Sequence, residues 1–359
     1  MCKLSCGLGD VYKRQALEVS LRLVSWALVH SLMVLRDGEA GLFAVVRNPR
    51  QLGISIYQQA YFVRHFLSRH SSANNHLIGE LCGLWVACQT FDLGPAGQAW
   101  GELAHAELER EAKLQVHADG VDREQAGYYH LWVLEYFLFS WLVGVRSGKE
   151  FSTEFTNTML AMARFLEDIH PDGGEPPQLG DADDGFVARF NPSWSNQPYR
   201  DLLSAVHAVF GKVNQADTEK AFWYRSMLPP GKQSLPKLDW RRSYPVVYPE
   251  GGYIIMGGED CHLVFDAGPL GYLGIAAHGH ADALSFCLAV DDAWWLVDPG
   301  TYAYHSAPEW RSYFRGTSAH YTVWVNRDDQ SQMGGAFMWL RKANAAIMDV
   351  NKDINNQYV

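Results

Sequence analysis

What this chain lacks removes several chemistries at once. Its six cysteines, Cys2, Cys6, Cys82, Cys88, Cys261 and Cys287, form no C-x-x-C pair and no zinc-ribbon spacing. They offer neither a dithiol redox motif nor a thiolate metal site, and they leave the redox compartment undecided. There is no Walker A loop, no H-E-x-x-H helix, no G-x-S-x-G elbow and no dinucleotide glycine fingerprint. Nucleotide-driven and serine-hydrolase chemistries therefore lose their usual carriers. Basic residues are in deficit, 30 Lys and Arg against 40 Asp and Glu, for a formal net charge of −10. With a pI near 5.8, that balance argues against nucleic acid or anionic membrane as a partner. An anionic ligand would need arginines that converge locally. Apolar runs are broken by charges before the roughly 20 residues that span a bilayer, so no transmembrane segment is expected. The opening stretch MCKLSCGLGDVYKRQ lacks the continuous apolar core of a signal peptide. No helical pattern continues from it, so residues 1–15 read as an atypical leader, foreign to the helical domain after it.

What is present can build a large core. The chain has 359 residues, 48% hydrophobic, 13% aromatic and only 19% charged, which indicates a globular protein of two or three domains. From Ala16 the pattern is helical: Leu17, Leu21, Val24, Leu28, Leu32 and Leu35 recur at three- and four-residue steps. Similar runs cover about 51–69, 76–90, 97–116, 124–145, 151–169 and 199–213, separated by short polar turns. The stretch 170–198, HPDGGEPPQLGDADDGFVARFNPSWSNQP, cannot be helical, because its prolines remove donors and its glycines and aspartates favour turns. A loop of that length in a compact domain is usually functional or disordered, and its aromatic residues favour function. After Pro229 the composition changes to short β-branched or aromatic segments: YIIM (253–256), CHLVFDAG (261–268), LSFCLAV (284–290), AWWLVD (293–298) and YTVWVN (321–326). The chain thus divides into a helical domain over 16–228 and a sheet domain over 229–359, the latter incomplete at its end.

Three constellations carry candidate chemistry. In HGHADALSF (278–286), His278 and His280 are two residues apart and share a face if the chain is extended. With Asp298 ending one predicted strand and His320 opening another, imidazole and carboxylate donors can meet as at a zinc-type site. The plainer account is that His280 and His320 are hydrogen-bonded strand-edge residues. In NNHLIGE (74–80), Asn74 or Asn75 caps a helix; the same helix start suits a carboxylate ligand, while His76 and Glu80 alone would be an i, i+4 pair. In REQAGYYHLWVLE (123–135), Leu131, Leu134 and Leu138 define the buried stripe, so Tyr129 need not belong to it, although for the isolated motif packing is the favoured account of Tyr128, Tyr129 and His130.

Taken together these segments resemble the heparinase II/III-like polysaccharide lyases, a group that includes heparin, heparan and alginate lyases. The resemblance runs in order through SLRLVSW (20–26), SSANNHLIGE (71–80), DGVDREQAGYYH (119–130), HGHADALSF (278–286), VDPGTYAYHS (297–306) and EWRSYFRGTSAHYTV (309–323), with HYTV where many relatives have HNTV. It implies an α+β multidomain fold, an incomplete (α/α) toroid followed by an antiparallel β-sandwich domain. It also implies β-elimination at a uronic acid, in which the C5 proton leaves and the C4 oxygen is expelled. The neighbouring carboxylate makes that proton weakly acidic, so a site must neutralise the carboxylate, supply a base and protonate the leaving oxygen.

By the same resemblance, Asn75 and His76 would neutralise the carboxylate, His76 acting as base for one C5 epimer. Tyr129 would protonate the leaving oxygen and, in a syn elimination, also serve as base, with Tyr128 as the competing assignment. His280, Asp298 and His320 would hold one divalent metal, zinc in the family and structural in role, with a fourth ligand still to be named; His278 would face the substrate, and Asp282 has no role beyond the turn. Arg22, Arg189, Arg311 and Arg315 are candidates for the acidic polysaccharide, since the guanidinium fork matches carboxylate and sulfate, and Tyr304 for the cleft. A periplasmic or secreted location is implied by the resemblance alone. Two other readings remain: a toroid glycoside hydrolase using Glu175, Asp181, Asp183 or Asp184 of the long loop, and a glycan-binding relative without chemistry.

Overall fold

The computed structural model describes residues 15–37, 40–171, 174–190, 197–211, 217–230, 243–258, 260–291, 293–353 and 356–358. Apart from Gln15, the leader lies outside the described residues. By internal contacts the chain forms two compact units: one comprises residues up to Glu111 with Tyr136–Ser152 and Phe186–Arg189, the other Ala112–Glu135, Thr153–Gly185 and Phe190–Val359. The expected division at 229 tracks the change of secondary structure, whereas compactness divides the chain within two helices.

The first unit is built on α1 (Ala16–Asp37), α2 (Pro49–His65), α3 (Asn75–Thr90) and most of α4 (Gly94–Gln115), together with the second half of α5 (Gly127–Ser147). Helix α2 starts where the sequence dictates: the Asn48 side chain accepts from Gln51 N at 3.0 Å, and Pro49, whose missing donor is harmless in a first turn, comes next. The stripe on α1 is buried only at its start. Leu17, Leu23, Val24 and Ala27 are buried, while Leu32 and Leu35 are exposed. By length and composition alone, Ala16–Arg36 is apolar enough to cross a membrane, but a core helix and a signal sequence pass the same test, so it is no clear transmembrane segment. Trp85 of α3 anchors the unit. Its indole donates to Ser140 O at 3.1 Å, and its ring meets His105 and Phe151 edge-on.

The second unit holds α6 (Thr153–Asp168), α7 (Pro198–Phe210), α8 (Glu219–Ser226) and the strands. A five-stranded antiparallel sheet runs in sequence order through β1 (Val246–Tyr248), β2 (Tyr253–Gly257), β3 (Cys261–Asp266), β4 (Phe286–Val290) and β5 (Ala293–Leu296). Its register pairs Ile255 with Val264 and Val264 with Cys287, which lines apolar residues on one buried face. Two hairpins complete the strands, β6 (Gln332–Gly335) with β7 (Met338–Arg341) and β8 (Asn351–Asp353) with β9 (Asn356–Tyr358).

One local expectation fails, and one helix was not anticipated. YTVWVN (321–326) forms no strand: the Gln330 amide takes the Val323 carbonyl at 2.9 Å, and Val323 and Val325 stand exposed. PEWRSYFR, unassigned by periodicity, forms α9 (Pro308–Arg315) with Pro308 in its first turn.

Candidate active site and metal cluster

The two histidines of HGHAD sit in a loop between β3 and β4, not in a strand. A glycine must separate them. A Cβ on Gly279 would lie 1.6 Å from the Leu270 carbonyl oxygen, so no side chain fits at the position that turns the two imidazoles. The Gly279 carbonyl in turn accepts from the Trp339 indole at 3.0 Å. Opposite this loop lies Asp181, from the long polar stretch. Gly180, at φ +61°, delivers it, and the Asp181 backbone N donates to His278 O at 2.9 Å.

Asp181 is fully buried and engages three cations or donors at once. Its Oδ2 lies 3.1 Å from His278 Nδ1 and its Oδ1 2.9 Å from His280 Nε2. The Arg311 guanidinium closes on both oxygens, Nη1 on Oδ1 and Nη2 on Oδ2, the latter at 2.6 Å. Burial alone would raise the Asp181 pKa, yet the hydrogen bonds from His278, His280 and Arg311 hold it well below the usual carboxylate range. This carboxylate is therefore committed to its partners, and it is not a free general acid of the kind a glycoside hydrolase needs.

The arginines of α9 correct a second expectation. Arg311 and Arg315, four residues apart on one helix face, are 1% and 0% exposed and spend their donors inside the fold. Arg311 binds Asp181 and the Ala336 carbonyl; Arg315 donates to the Gly335 and Ala336 carbonyls at 2.8 and 2.7 Å and lies 4.5 Å over the Trp339 ring. They are internal struts rather than substrate arginines. Burial, with Arg311 next, lowers the Arg315 pKa to about 10, still leaving it charged at neutral pH. Arg22 and Arg189 are the exposed members of the set; Arg22 donates to Gln59 across α1 and α2 at 3.2 Å, and Arg189 lies 5.5 Å over Phe186.

Tyr129, from the first turns of α5, packs flat against His278 with ring centroids 3.7 Å apart and an interplanar angle of 19°. Its hydroxyl is 2.9 Å from that of Tyr304. Burial, then Tyr304 itself, raises the Tyr129 pKa well above its ordinary value, so the phenol is neutral. Helix α5 is buried on every side here, which is why stripe counting places Tyr129 outside the core and the structure does not. Tyr128, the competing assignment, donates to the Gly185 carbonyl at 3.1 Å. His130 is locked as well: Asp122 N donates to its Nδ1 at 3.2 Å, leaving Nε2–H for Met162 O at 2.9 Å. Burial holds it neutral, with a pKa lowered to about 4.

A group of residues that could hold a metal ion lies on the other side of His280. His280, Asp282, Asp298 and His320 each present a ligand atom, all within 4.8 Å of one another. Asp282, which sequence reasoning confined to the turn, is thus a fourth candidate donor. Its signal was the alternation of His278, His280 and Asp282, read only as far as the histidines. Two imidazoles and two carboxylates suit a four-coordinate divalent cation. The buried His280 Nδ1 and both His320 ring nitrogens lack hydrogen-bond partners, His320 Nδ1 lying 3.2 Å from Asp298 Oδ2 without hydrogen-bond alignment. Unpartnered buried ring nitrogens of this kind are what a metal would engage. Burial alone would lower the His320 pKa, but Asp298 and Asp282 raise it to about 9, the mark of a pocket with surplus negative charge.

In the first unit, the NNHLIGE segment resolves its cap. Asn74 accepts from His76 N at 3.1 Å, so Asn74 is the N-cap and Asn75 is the first residue of α3, fully buried; His76 is partly exposed. Glu80, one turn on, is not a surface partner of His76. It is buried and binds Ser68 through Ser68 N at 2.5 Å and Oγ at 2.7 Å.

Comparison with known proteins finds two family models on this chain. Residues 48–198 match the family model "Heparinase II/III N-terminus" and residues 241–357 match "Heparinase II/III-like, C-terminal". No curated protein sequence matches. Among solved structures, a heparinase III superposes with a TM-score of 0.64 at 16% identity, covering 94% of this chain and 49% of that one. A heparinase III gene product gives 0.62 at 21%, covering 93% and 51%. The heparan sulfate lyase of Pedobacter heparinus gives 0.57 at 20%, covering 91% and 48%. The chain therefore spans about half the length of these structures. Helices followed by antiparallel sheet are their α-toroid and β-domain order, and the chain belongs to the heparinase II/III-like family.

Proposed function

We propose that the protein is a polysaccharide lyase that cleaves a uronic-acid-containing acidic polysaccharide by β-elimination. Family membership supports the reaction class, and one observation carries the chemistry: a neutral phenol, Tyr129, stacked on His278 and sharing a hydrogen bond with Tyr304. A neutral phenol is the form needed to protonate the departing C4 oxygen. As Tyr129 gives up its proton, the Tyr304 hydroxyl is placed to donate to the developing phenolate. Burial raises the Tyr129 pKa, so the phenol stands protonated and available to donate, while the phenolate that a base requires is scarce. Abstraction of the C5 proton by Tyr129, the syn route, would then need added positive charge from the bound substrate site, and His76 is the base proposed for the other epimer. Asn75 and His76, at the start of α3, would hydrogen-bond and neutralise the uronate carboxylate, where amide donors and the positive helix end favour an anion. His278 borders the reacting group through its stack on Tyr129. Arg22 and Arg189, the exposed arginines, are the proposed contacts for more distant acidic groups.

His280, Asp282, Asp298 and His320 would hold one divalent ion, zinc by their donor set. Bound there, it would supply fixed positive charge and cross-linking rather than a reactive group. We also assign the protein to the periplasm or the exterior, where its polymers occur. The test is Tyr129→Phe assayed on a panel of uronans by the ultraviolet absorbance of the unsaturated uronate. Turnover should fall at least 100-fold, within the range for a lost general acid, with the far-ultraviolet circular dichroism unchanged. Near-normal turnover would refute the assignment.

A further inference from the structure

We infer that Asp181 is a positioning residue that sets both the metal-binding tautomer of His280 and the orientation of His278. The geometry assigns opposite tasks to its two oxygens. Oδ1 meets His280 Nε2 at 2.9 Å, which places the ring proton on Nε2 and leaves the lone pair on Nδ1. That Nδ1 is the buried nitrogen without a hydrogen-bond partner, and His280 is the member of the four-residue cluster that Asp181 touches. Metal-bound histidines generally donate their other ring N–H to a carboxylate, and such a partner fixes ring orientation and raises basicity.

Oδ2 meets His278 Nδ1 at 3.1 Å. The far nitrogen of that ring, Nε2, faces Glu124 at 3.6 Å, and the ring plane lies against Tyr129. His278 is thus held at both nitrogens and one face. Arg311 keeps the buried charge of Asp181 paired and, through the Ala336 carbonyl, ties it to the β6–β7 hairpin. One carboxylate from the loop at 174–190 therefore joins the metal cluster to the Tyr129 pair.

The metal half of this inference stands on the cluster alone; only the tie to Tyr129 rests on the lyase reading. The test uses the full chain and Zn2+ or Co2+ as probe, with affinity measured by competition against a chromogenic chelator. Asp181→Asn should weaken metal binding by about 10- to 100-fold, the usual effect of losing such a carboxylate, and should alter the d–d spectrum of the Co2+ form. Because Asn leaves Arg311 buried without its counter-charge, the paired variant Asp181→Asn/Arg311→Gln repeats the measurement with the charge balanced. Folded variants that bind metal within about twofold of the parent, with an unchanged Co2+ spectrum, would overturn the inference. A merely structural Asp181 would lower the melting temperature of the metal-free protein and leave metal affinity alone. Failure of the parent to eliminate any uronan would sink the lyase reading while leaving the affinity result intact.

Discussion

Replacing Glu80 with glutamine should stabilise the protein at neutral pH, and the size of the gain can be worked from the site. Glu80 is fully buried against Ser68. Burial raises its pKa from 4.5 to about 7, against the lowering effect of the Ser68 bonds and Arg69. Below pH 4.5 the carboxyl is protonated in both folded and unfolded chains, and its full contribution is present. As pH rises from 4.5 through about 7 the unfolded chain ionises first, so stability is lost; above 7 both states are ionised and the deficit is constant. At about 1.4 kcal/mol per pKa unit, the rise from 4.5 to about 7 corresponds to about 3 kcal/mol. Glutamine presents one donor and one acceptor to Ser68, as the protonated acid does. Glu80→Gln should therefore match the parent near pH 4.5 and exceed it by about 3 kcal/mol at pH 8. Denaturant unfolding of both proteins across this range, at one ionic strength, reads the difference. Parallel pH profiles would show that Glu80 is ionised inside the fold and would refute the reasoning.

The same geometry sets other expectations. Tyr304→Phe removes the partner of the Tyr129 hydroxyl; stability should fall by about 1 kcal/mol and the alkaline limb of the pH–rate profile, where the Tyr129 proton is lost, should move to lower pH because, after burial, Tyr304 helps raise the Tyr129 pKa, whereas an unchanged profile would place Tyr304 outside the reaction. His280→Ala should abolish stoichiometric metal by elemental analysis, and a chelator should lower the melting temperature of the parent but not of this variant. Gly279→Ala, whose Cβ would lie 1.6 Å from the Leu270 oxygen, should cost roughly 2 kcal/mol or more and reduce metal affinity by moving His280.

The sequence was legible where periodicity and local chemistry act alone. Helices α2 to α7 fall within a few residues of the periodic runs, and β2 to β5 coincide with the short apolar segments. YTVWVN misleads because alternation marks a strand only if a partner accepts its backbone, and here Gln330 intervenes. Helix α9 was missed because two of its eight residues are buried arginines, which apolar stripes cannot reveal. The candidate site divides in the same way. Asp298, His280 and His320 could be named because histidine and aspartate are ligand types in suggestive order. Asp282 was passed over although it continues the alternation of His278 and His280, and the role of Asp181 could not be read, since it depends on a contact across 130 residues to Arg311. Arg311 and Arg315 were misread because an isolated arginine carries no signal of whether its partner is a substrate or an aspartate.

The central claim is elimination, and its most direct measurement is the ultraviolet absorbance produced by the purified, metal-loaded chain on uronans of both C5 epimers, with reducing ends counted in parallel. The account predicts chromophore and reducing ends appearing together in equal amounts on at least one polymer. Reducing ends without chromophore would mean hydrolysis and contradict it; saturable binding with neither product would mean a glycan-binding protein that keeps the fold without the reaction.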